Sequence, residues 1–275
     1  MALLHCNIYG LTARARRLPH MSILIGTAGW SIPRGVADSF PAEGSALERY
    51  ASRFRIAEIN SSFHRPHRTS TWERWRDSVP QGFRFSAKLP KEITHTRKLV
   101  DCGPEIETFL GQAQTLGEKL AVLLVQLPPK LSFDRTVARG FFSNLMNCTD
   151  AIIACEPRHV TWFSEDASDL LAELGVARVA ADPAICEAAA RPGDWGALRY
   201  WRLHGSPVVY RSSYVDRVGL YASELTRNAG GGCAVWCIFD NTASSAGASD
   251  ALALTNVLQE ARVPYHGLPL RSLPT

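Results

Sequence analysis

Two rhythms of apolar and polar positions run through the chain. The first is a set of eight short β-like runs: ILIGTA (23–28), IAEINS (56–61), FRFSAK (83–88), AVLLVQ (121–126), AIIACE (151–156), ARVAAD (177–182), RYWRLH (199–204) and AVWCIF (234–239). Several are continuously apolar, as strands covered on both faces should be. Their starts lie 22–38 residues apart, which leaves room for one crossover each and suits a parallel sheet. The second rhythm is helical. It predicts helices over SALERYASRF (45–54), TSTWERWRDS (69–78), IETFLGQAQTLGEKL (106–120), FSEDASDLLAEL (163–174) and ASDALALTNVLQEA (248–261). Trp72 and Trp75 share a face of the second. The fourth has an acidic start and ends at Gly175, a good cap arrangement. Between the sixth and seventh strands, AICEAAARPGDWGAL leaves room only for a short or irregular crossover.

Prolines follow several strands directly, in LPK, QLPPK, CEPRH and ADP, and mark the start of strand–helix loops. No repeat, low-complexity tract or linker interrupts the series. The expected fold is one α/β domain, a closed (β/α)8 TIM-barrel-like ring over residues 22–262. The alternative is a doubly wound open sheet, but GTAG (26–29) is too short and wrongly spaced for a dinucleotide loop. Residues 1–21 read as an extension. They hold basic residues without a long apolar core, unlike a secretory signal. A start placed too early, with Met21 as the functional start, is the expectation for them. Residues 263–275 read as a C-terminal tail.

Composition narrows the partners. The formal net charge is +4, and Arg14, Arg16 and Arg17 of the acid-free first twenty residues supply three of those charges. A nearly neutral body disfavours a broad nucleic-acid stripe, leaving only a local basic groove for such a partner. No apolar run approaches the roughly 18 residues that span a bilayer, so no membrane partner is expected. Seven cysteines show no bridge plan, and Cys155, Cys233 and Cys237 fall in apolar strand-like runs. They are expected to be buried thiols in a cytoplasmic, reducing compartment. Oligomeric state is not legible.

A set of ordered landmarks is more specific: GTAGW (26–30), AEINSSFHRP (57–66), TWERWRDSVPQGFRFSAKLPKEITH (71–95), LLVQLPP (123–129), CEPRH (155–159), RLHGS (202–206), YRSSY (210–214) and WCIFDNT (236–242). Over about residues 22–260 the chain resembles the YecE-like proteins, domain-of-unknown-function family 72. The resemblance implies a TIM-barrel-like fold and no particular reaction. It departs from the family pattern at SIPRGVADSFP (31–41), where only Phe40 is aromatic before Pro41, and at Phe63-His64-Arg65, where Phe-Tyr-Arg is usual.

In such a barrel the loops after the strands build the active face. Reading the strand ends gives Trp30, Glu58, Asn60, Lys88, Gln126, Glu156, Arg158, Asp182, Arg202, His204, Asp240 and Asn241. Glu58, Glu156, Asp182, His204 and Asp240 are the candidate catalytic groups. Glu156, Asp182 and Asp240, with His204, around one mouth can serve as an acid–base pair or hold a divalent cation; crowded without a metal, one carboxyl should rise in pKa and become a general acid. An ion-pair ring balanced by Lys88, Arg158 and Arg202 is the structural alternative. Lys88 can neutralise an anion or, desolvated, form a Schiff base. Lys91 and His95 of LPKEITH extend a basic rim. Ser206, Tyr210 and Arg211 lie where many barrels bind phosphate. Trp30, Trp162 and Trp236 either stack on a ligand or fill gaps. No cofactor motif is present. The expected function is an enzyme acting by acid–base chemistry, hydrolytic or isomerising, on a small polar or anionic substrate, phosphorylated or sugar-like. The alternatives are a non-catalytic binder of an anionic ligand and a metal-assisted nucleic-acid enzyme.

Overall fold

The computed structural model describes residues 23–230 and 232–261. The extension and tail expected at the two ends lie outside the described residues. The strands are β1 (Ile23–Thr27), β2 (Ile56–Ile59), β3 (Arg84–Lys88), β4 (Leu120–Gln126), β5 (Ile152–Glu156), β6 (Ala177–Arg178), β7 (Ala180–Asp182), β8 (Leu198–Leu203) and β9 (Ala234–Phe239). The helices are α1 (Ala46–Ala51), α2 (Thr69–Asp77), α3 (Gly103–Ala113), α4 (Arg135–Cys148), α5 (Glu165–Glu173), α6 (Val218–Asn228) and α7 (Ala246–Glu260). Every described ladder is parallel.

The strands form two sheets, β2-β3-β4-β5-β6 and β7-β8-β9-β1. They approach each other at two seams. At the first, Val179 separates β6 from β7 and donates its N–H to Cys155 O at 2.8 Å. At the second, Ala28 bridges Glu58, and Gly29 N–H reaches Glu58 O at 2.8 Å. The strand order is thus TIM-barrel-like, but the ladder is interrupted at two places where a closed ring was expected. Gly26 sits at the second seam because nothing larger fits: a Cβ there would lie 2.3 Å from Ile56 O and 2.8 Å from Ile56 Cγ1. Ile56 O is backbone and cannot swing away. Gly26→Ala is therefore expected to lower stability by about 1–3 kcal/mol, read as a lower urea midpoint.

Strand parity sorts the side chains. Leu24, Ile56, Val122, Leu124, Ala154, Val179, Leu198, Tyr200, Trp236 and Ile238 pack together inside the ring. Ile25, Ala57, Ile59, Leu123, Cys155, Trp201, Leu203 and Phe239 pack outward beneath the helices. Trp236 is therefore part of the barrel interior beside Tyr200, and Trp162 packs on Phe133 and Phe142; both fill space.

Local chemistry explains the helix ends. Ser45 and Glu48 form a reciprocal capping box at α1. Ser164 caps α5 by accepting from Ala167 N–H at 3.2 Å, and Gly175 follows it with φ 66°. The third helix is shorter than its apolar period predicts, since the backbone turns into a 3-10 segment that is non-helical at Gly117. Helices α4 and α6 are absent from the reading of periodicity. The signal for α4 was present: Asp134 accepts from Val137 N–H at 3.0 Å, and Ala138, Phe141, Phe142 and Leu145 form its buried face. As expected, the crossover from β7 to β8 lacks an α-helix and holds only the 3-10 turn Glu187–Ala190. Among the described residues no helix is long and apolar enough to cross a membrane.

Candidate functional site

Inward parity at the carboxyl ends of the strands brings Glu58, Glu156, Arg202, His204 and Asp240 into one cluster. Arg202, with 0% exposure, is its centre. Its Nε and Nη2 grip both oxygens of Glu58 at 3.0 and 2.5 Å. Its Nη1 donates to Glu156 Oε2 at 2.6 Å and Nη2 to Asp240 Oδ2 at 2.9 Å. Tyr200, one inward position below, donates its hydroxyl to Glu58 Oε2 at 3.0 Å. A guanidinium has five N–H donors in a fixed plane, and here that plane joins three strands of acids to one arginine.

His204 continues the same inward face. Its Nδ1 lies 2.9 Å from Asp240 Oδ2. Its Nε2 lies 3.0 Å from Glu156 Oε1 and 2.8 Å from Arg158 Nη2, and Arg158 also pairs with Glu156 Oε1 at 2.5 Å. Nε2 thus faces an acceptor and a donor at once: protonated it serves Glu156, unprotonated it accepts from Arg158. Imidazole is suited to such a relay. His204 is itself 0% exposed, and the Tyr210 ring covers it at 5.9 Å. Gly205, with φ 94°, does not open the site to a ligand as its position suggests. A Cβ there would meet Val208 O and Ser212 O at 3.0 and 3.1 Å, so the glycine admits its own loop.

The electrostatics reverse one expectation. Burial raises the Glu156 carboxyl, but Arg202, His204 and Arg158 outweigh it and hold Glu156 well below the usual carboxylate range. Asp240 is likewise lowered: burial opposes, while Arg202 and the hydrogen bond with His204 prevail. Neither is a general acid produced by crowding, because every acid already has a cation.

Lys88 stands apart. It is 7% exposed at the end of β3, with its Nζ 4.1 Å from the centre of the Phe63 ring. Among the described residues, its ammonium has no ion pair and no hydrogen-bond acceptor. Burial, then the Arg202 charge, bring its pKa down to about 8 against the opposing pull of Glu58, Asp240 and Glu156. His95 touches the other side of the mouth wall, 4.9 Å from Phe63, and is lowered by burial, Lys88 and Lys91. Lys91 lines an adjoining groove of about 490 Å3 together with Phe63, His64, Arg65 and Phe109.

These shifts predict a two-sided pH profile of stability. Glu156 and Asp240 have folded pKa values below their unfolded ones, so their contribution is present above about pH 4 and lost as pH falls through the lower folded values. Lys88 has a folded pKa below its unfolded one, so it opposes folding at neutral pH and ceases to do so between about pH 8 and 10.4. Urea midpoints at steps from pH 3 to pH 10 are expected to fall steeply at the acid end and to gain from Lys88 at the basic end.

Several expected site residues lie elsewhere. Asp182 is the clearest correction. Val179 points inward, so Asp182, three residues on, points outward; it binds Arg217 at 3.0 Å and the Tyr221 hydroxyl. Asn241 follows inward-facing Asp240 and also turns outward, donating to Asp250 Oδ2 at 2.6 Å and Ser212 O at 3.0 Å. Asp250 in turn accepts from Tyr214 N–H at 2.9 Å, so Asn241 helps anchor the loop after β8. Trp30 packs edge-on against Trp75 and Phe85 at 5.2 and 6.3 Å. Ser206 offers its carbonyl to Arg217 at 3.0 Å. Arg211 is exposed and, among the described residues, its guanidinium has no partner, while its carbonyl accepts from Ser244. No joint Ser206–Tyr210–Arg211 cradle is formed. Asn60 stays at the mouth, with Nδ2 3.4 Å from Asp240 Oδ1, its own Oδ1 buried without a hydrogen-bond partner among the described residues. Gln126 is half-buried, in register with Glu156. Tyr200 and Phe63 are the members that reading strand ends misses; inward parity with Arg202 was the available signal for Tyr200.

A divalent cation fits this arrangement poorly. Among the described residues no group of three His, Cys, Asp or Glu is placed to hold a metal. The reason is visible in the donor set: Arg202, Arg158, Tyr200 and His204 already occupy the carboxylate oxygens a cation needs. The buried thiols are as expected: Cys155, Cys233 and Cys237 are buried and unbridged.

With this geometry in hand, the comparisons are specific. The sequence profile described as "Protein of unknown function DUF72" matches residues 24–272. The chain belongs to the DUF72 family. As a DUF72 protein it is 30% identical to the UPF0759 protein YecE of Escherichia coli (strain K12) over 106 residues, 38% of each chain. It is 27% identical to the UPF0759 protein YunF of Bacillus subtilis (strain 168) over 176 residues, 60% of this chain and 62% of YunF. The matched stretches span less than two thirds of either relative. Two solved DUF72 structures share the fold. One, from Enterococcus faecalis V583, has a TM-score of 0.73 at 19% identity and covers 92% of this chain and 100% of its own. The other, from Thermotoga maritima MSB8, has a TM-score of 0.70 at 22% identity, covering 86% and 99%. These DUF72 relatives support the TIM-barrel-like architecture and leave the chemistry to the site.

Proposed function

We propose that the barrel mouth of this DUF72 protein is the active site of an enzyme that moves a proton on a small anionic substrate, phosphorylated or sugar-like, with Lys88 as the exchangeable group. The observation that carries this reading is Lys88 itself, a nearly buried ammonium beside three acids whose oxygens are committed elsewhere. A lysine near pKa 8 can both hold and give up a proton close to neutral pH. Arg158, with a side chain 16% exposed, and Lys91 make the approach positive, and His95, lowered by burial and the nearby lysines, adds an uncharged imidazole. The Arg202 cluster lies underneath as a preorganised base, and His204 with Asp240 forms a relay below the surface layer. The metal-assisted nucleic-acid alternative loses support because a cation would have to displace Arg202.

Ligand binding and proton exchange can both be followed without a defined substrate. A panel of small phosphates, carboxylates and neutral analogues is screened by thermal shift, since a ligand at about 100 times its Kd adds about 2.7 kcal/mol. Those that bind are incubated with the protein in D2O, and carbon-bound deuterium is followed by NMR. Anion-selective binding with exchange or turnover supports the reading. Binding without either overturns it in favour of a non-catalytic anion-binding barrel, and no preference for anions overturns both.

A further inference from the structure

We propose that Lys88 is a nucleophile that forms an imine with the carbonyl carbon of a small oxo acid or phosphorylated carbonyl compound. This deepens the proposed function and rests on the same mouth.

Three observations point to it. First, Lys88 has what a nucleophilic amine requires: a position at the carboxyl end of a barrel strand, 7% exposure, and, among the described residues, no partner to occupy its nitrogen. A structural lysine in such a place would be expected to bond one of the acids, but the oxygens of Glu58, Glu156 and Asp240 are taken by Arg202, with Arg158 and His204 on Glu156 and Asn60 on Asp240. Second, the surroundings can hold an iminium as they hold the ammonium. The iminium charge would still be held by the Phe63 face at 4.1 Å and by the buried acids. Third, the desolvation that brings Lys88 to about pH 8 supplies free amine at neutral pH. Lys91 and Arg65 of the adjoining groove, with which the mouth shares Phe63, are cations available to an anionic tail.

The step balances without an added reagent. The Lys88 ammonium first gives up a proton. Its lone pair then bonds to the carbonyl carbon while the carbonyl π pair moves to oxygen, which takes that proton. One proton of the carbinolamine nitrogen then passes to the hydroxyl, which leaves as water while the nitrogen lone pair closes the C=N bond. The product is the iminium directly, so an ammonium and a carbonyl become an iminium and water. The iminium then draws electrons from the adjacent carbon, which makes a proton there easier to remove.

The chain has five lysines, and the other four, Lys91, Lys98, Lys119 and Lys130, are internal controls. The full chain is incubated at pH 7 with glyoxylate or pyruvate and sodium cyanoborohydride, and adducts are mapped by peptide mass spectrometry. At pH 7 an amine of pKa about 8 has roughly 10²-fold more free base than an ordinary lysine near 10.4. Lys119 is also lowered by burial, but its Nζ is held by Arg76 O and Val79 O, so the expected result is labelling of Lys88 at least tenfold above each of the other four. Lys88→Arg, which keeps the charge but cannot form the imine, should lose that adduct and keep the thermal shift with pyruvate or inorganic phosphate. Even labelling across the lysines, or none at Lys88, overturns the imine. If carbon-bound deuterium exchange persists with an anion that binds in that case, the proton-transfer reading of the mouth survives; if exchange is absent too, both fall. Should Lys88→Arg not fold, Lys88→Met serves for the mapping control.

Discussion

Arg202→Met should fold poorly or not at all at 37 °C, with a loss of about 3–5 kcal/mol or more. Four of the five guanidinium donors are used, on three acids that are at most 3% exposed. Removing the arginine leaves Glu58 with the Tyr200 hydroxyl and no cation, and Asp240 with His204. Breaking a buried ion pair by deleting one partner typically costs about 3–5 kcal/mol, because the stranded charge is left without water. The figure is a penalty for truncation and not the net worth of the cluster; an all-apolar interior of the same volume can be as stable. The double variant Arg202→Met/Glu58→Gln should recover part of the loss, since it removes one of the stranded charges. Urea unfolding of the three proteins decides the matter. A single variant within about 1 kcal/mol of wild type would show that Arg202 is not what holds the mouth together.

Lys88→Met should move stability and activity in opposite directions. A lysine brought from 10.5 to about 8 by folding opposes folding at pH 7. At about 1.4 kcal/mol per pKa unit, less the packing a methionine must rebuild, its removal is expected to add about 1–3 kcal/mol. The same change removes the exchangeable group, so deuterium incorporation into a bound ligand should fall by about 10²–10⁴-fold. Stability given up at a position that chemistry requires is the pattern of a functional residue. If stability and exchange both fell, Lys88 would be a structural support and the proposed role would be lost.

The fold was largely legible because each strand was announced by its own apolar run, and seven of the eight runs form one strand each. The sixth did not, because Val179 leaves the ladder between two short pieces. The site was legible wherever parity was counted. Glu58 shares a face with Ile56, and Glu156 shares one with Ala154. Asp182 was misplaced because a strand end is not a direction: the side chain that ends β7 alternates outward. Asn241 fails in the same way, one residue past Asp240. What no reading of runs contains is distance across the barrel. That Arg202 takes all three acids, leaving Lys88 with none, depends on which side chain reaches the centre.

The two seams also divide the molecule in time. Strands β2 to β6 pair only with their sequence neighbours. That five-stranded half can therefore assemble while residues after 178 are still being made. Strand β1 pairs with β9, and Ile23 lies opposite Val235. Among the described strands, the first synthesised, β1, thus has to wait for the last, β9, before its main ladder exists. Contacts this far apart in sequence are slow to form and leave strand edges exposed meanwhile. Strand β1, though made before the other described strands, is among the last of them to be secured.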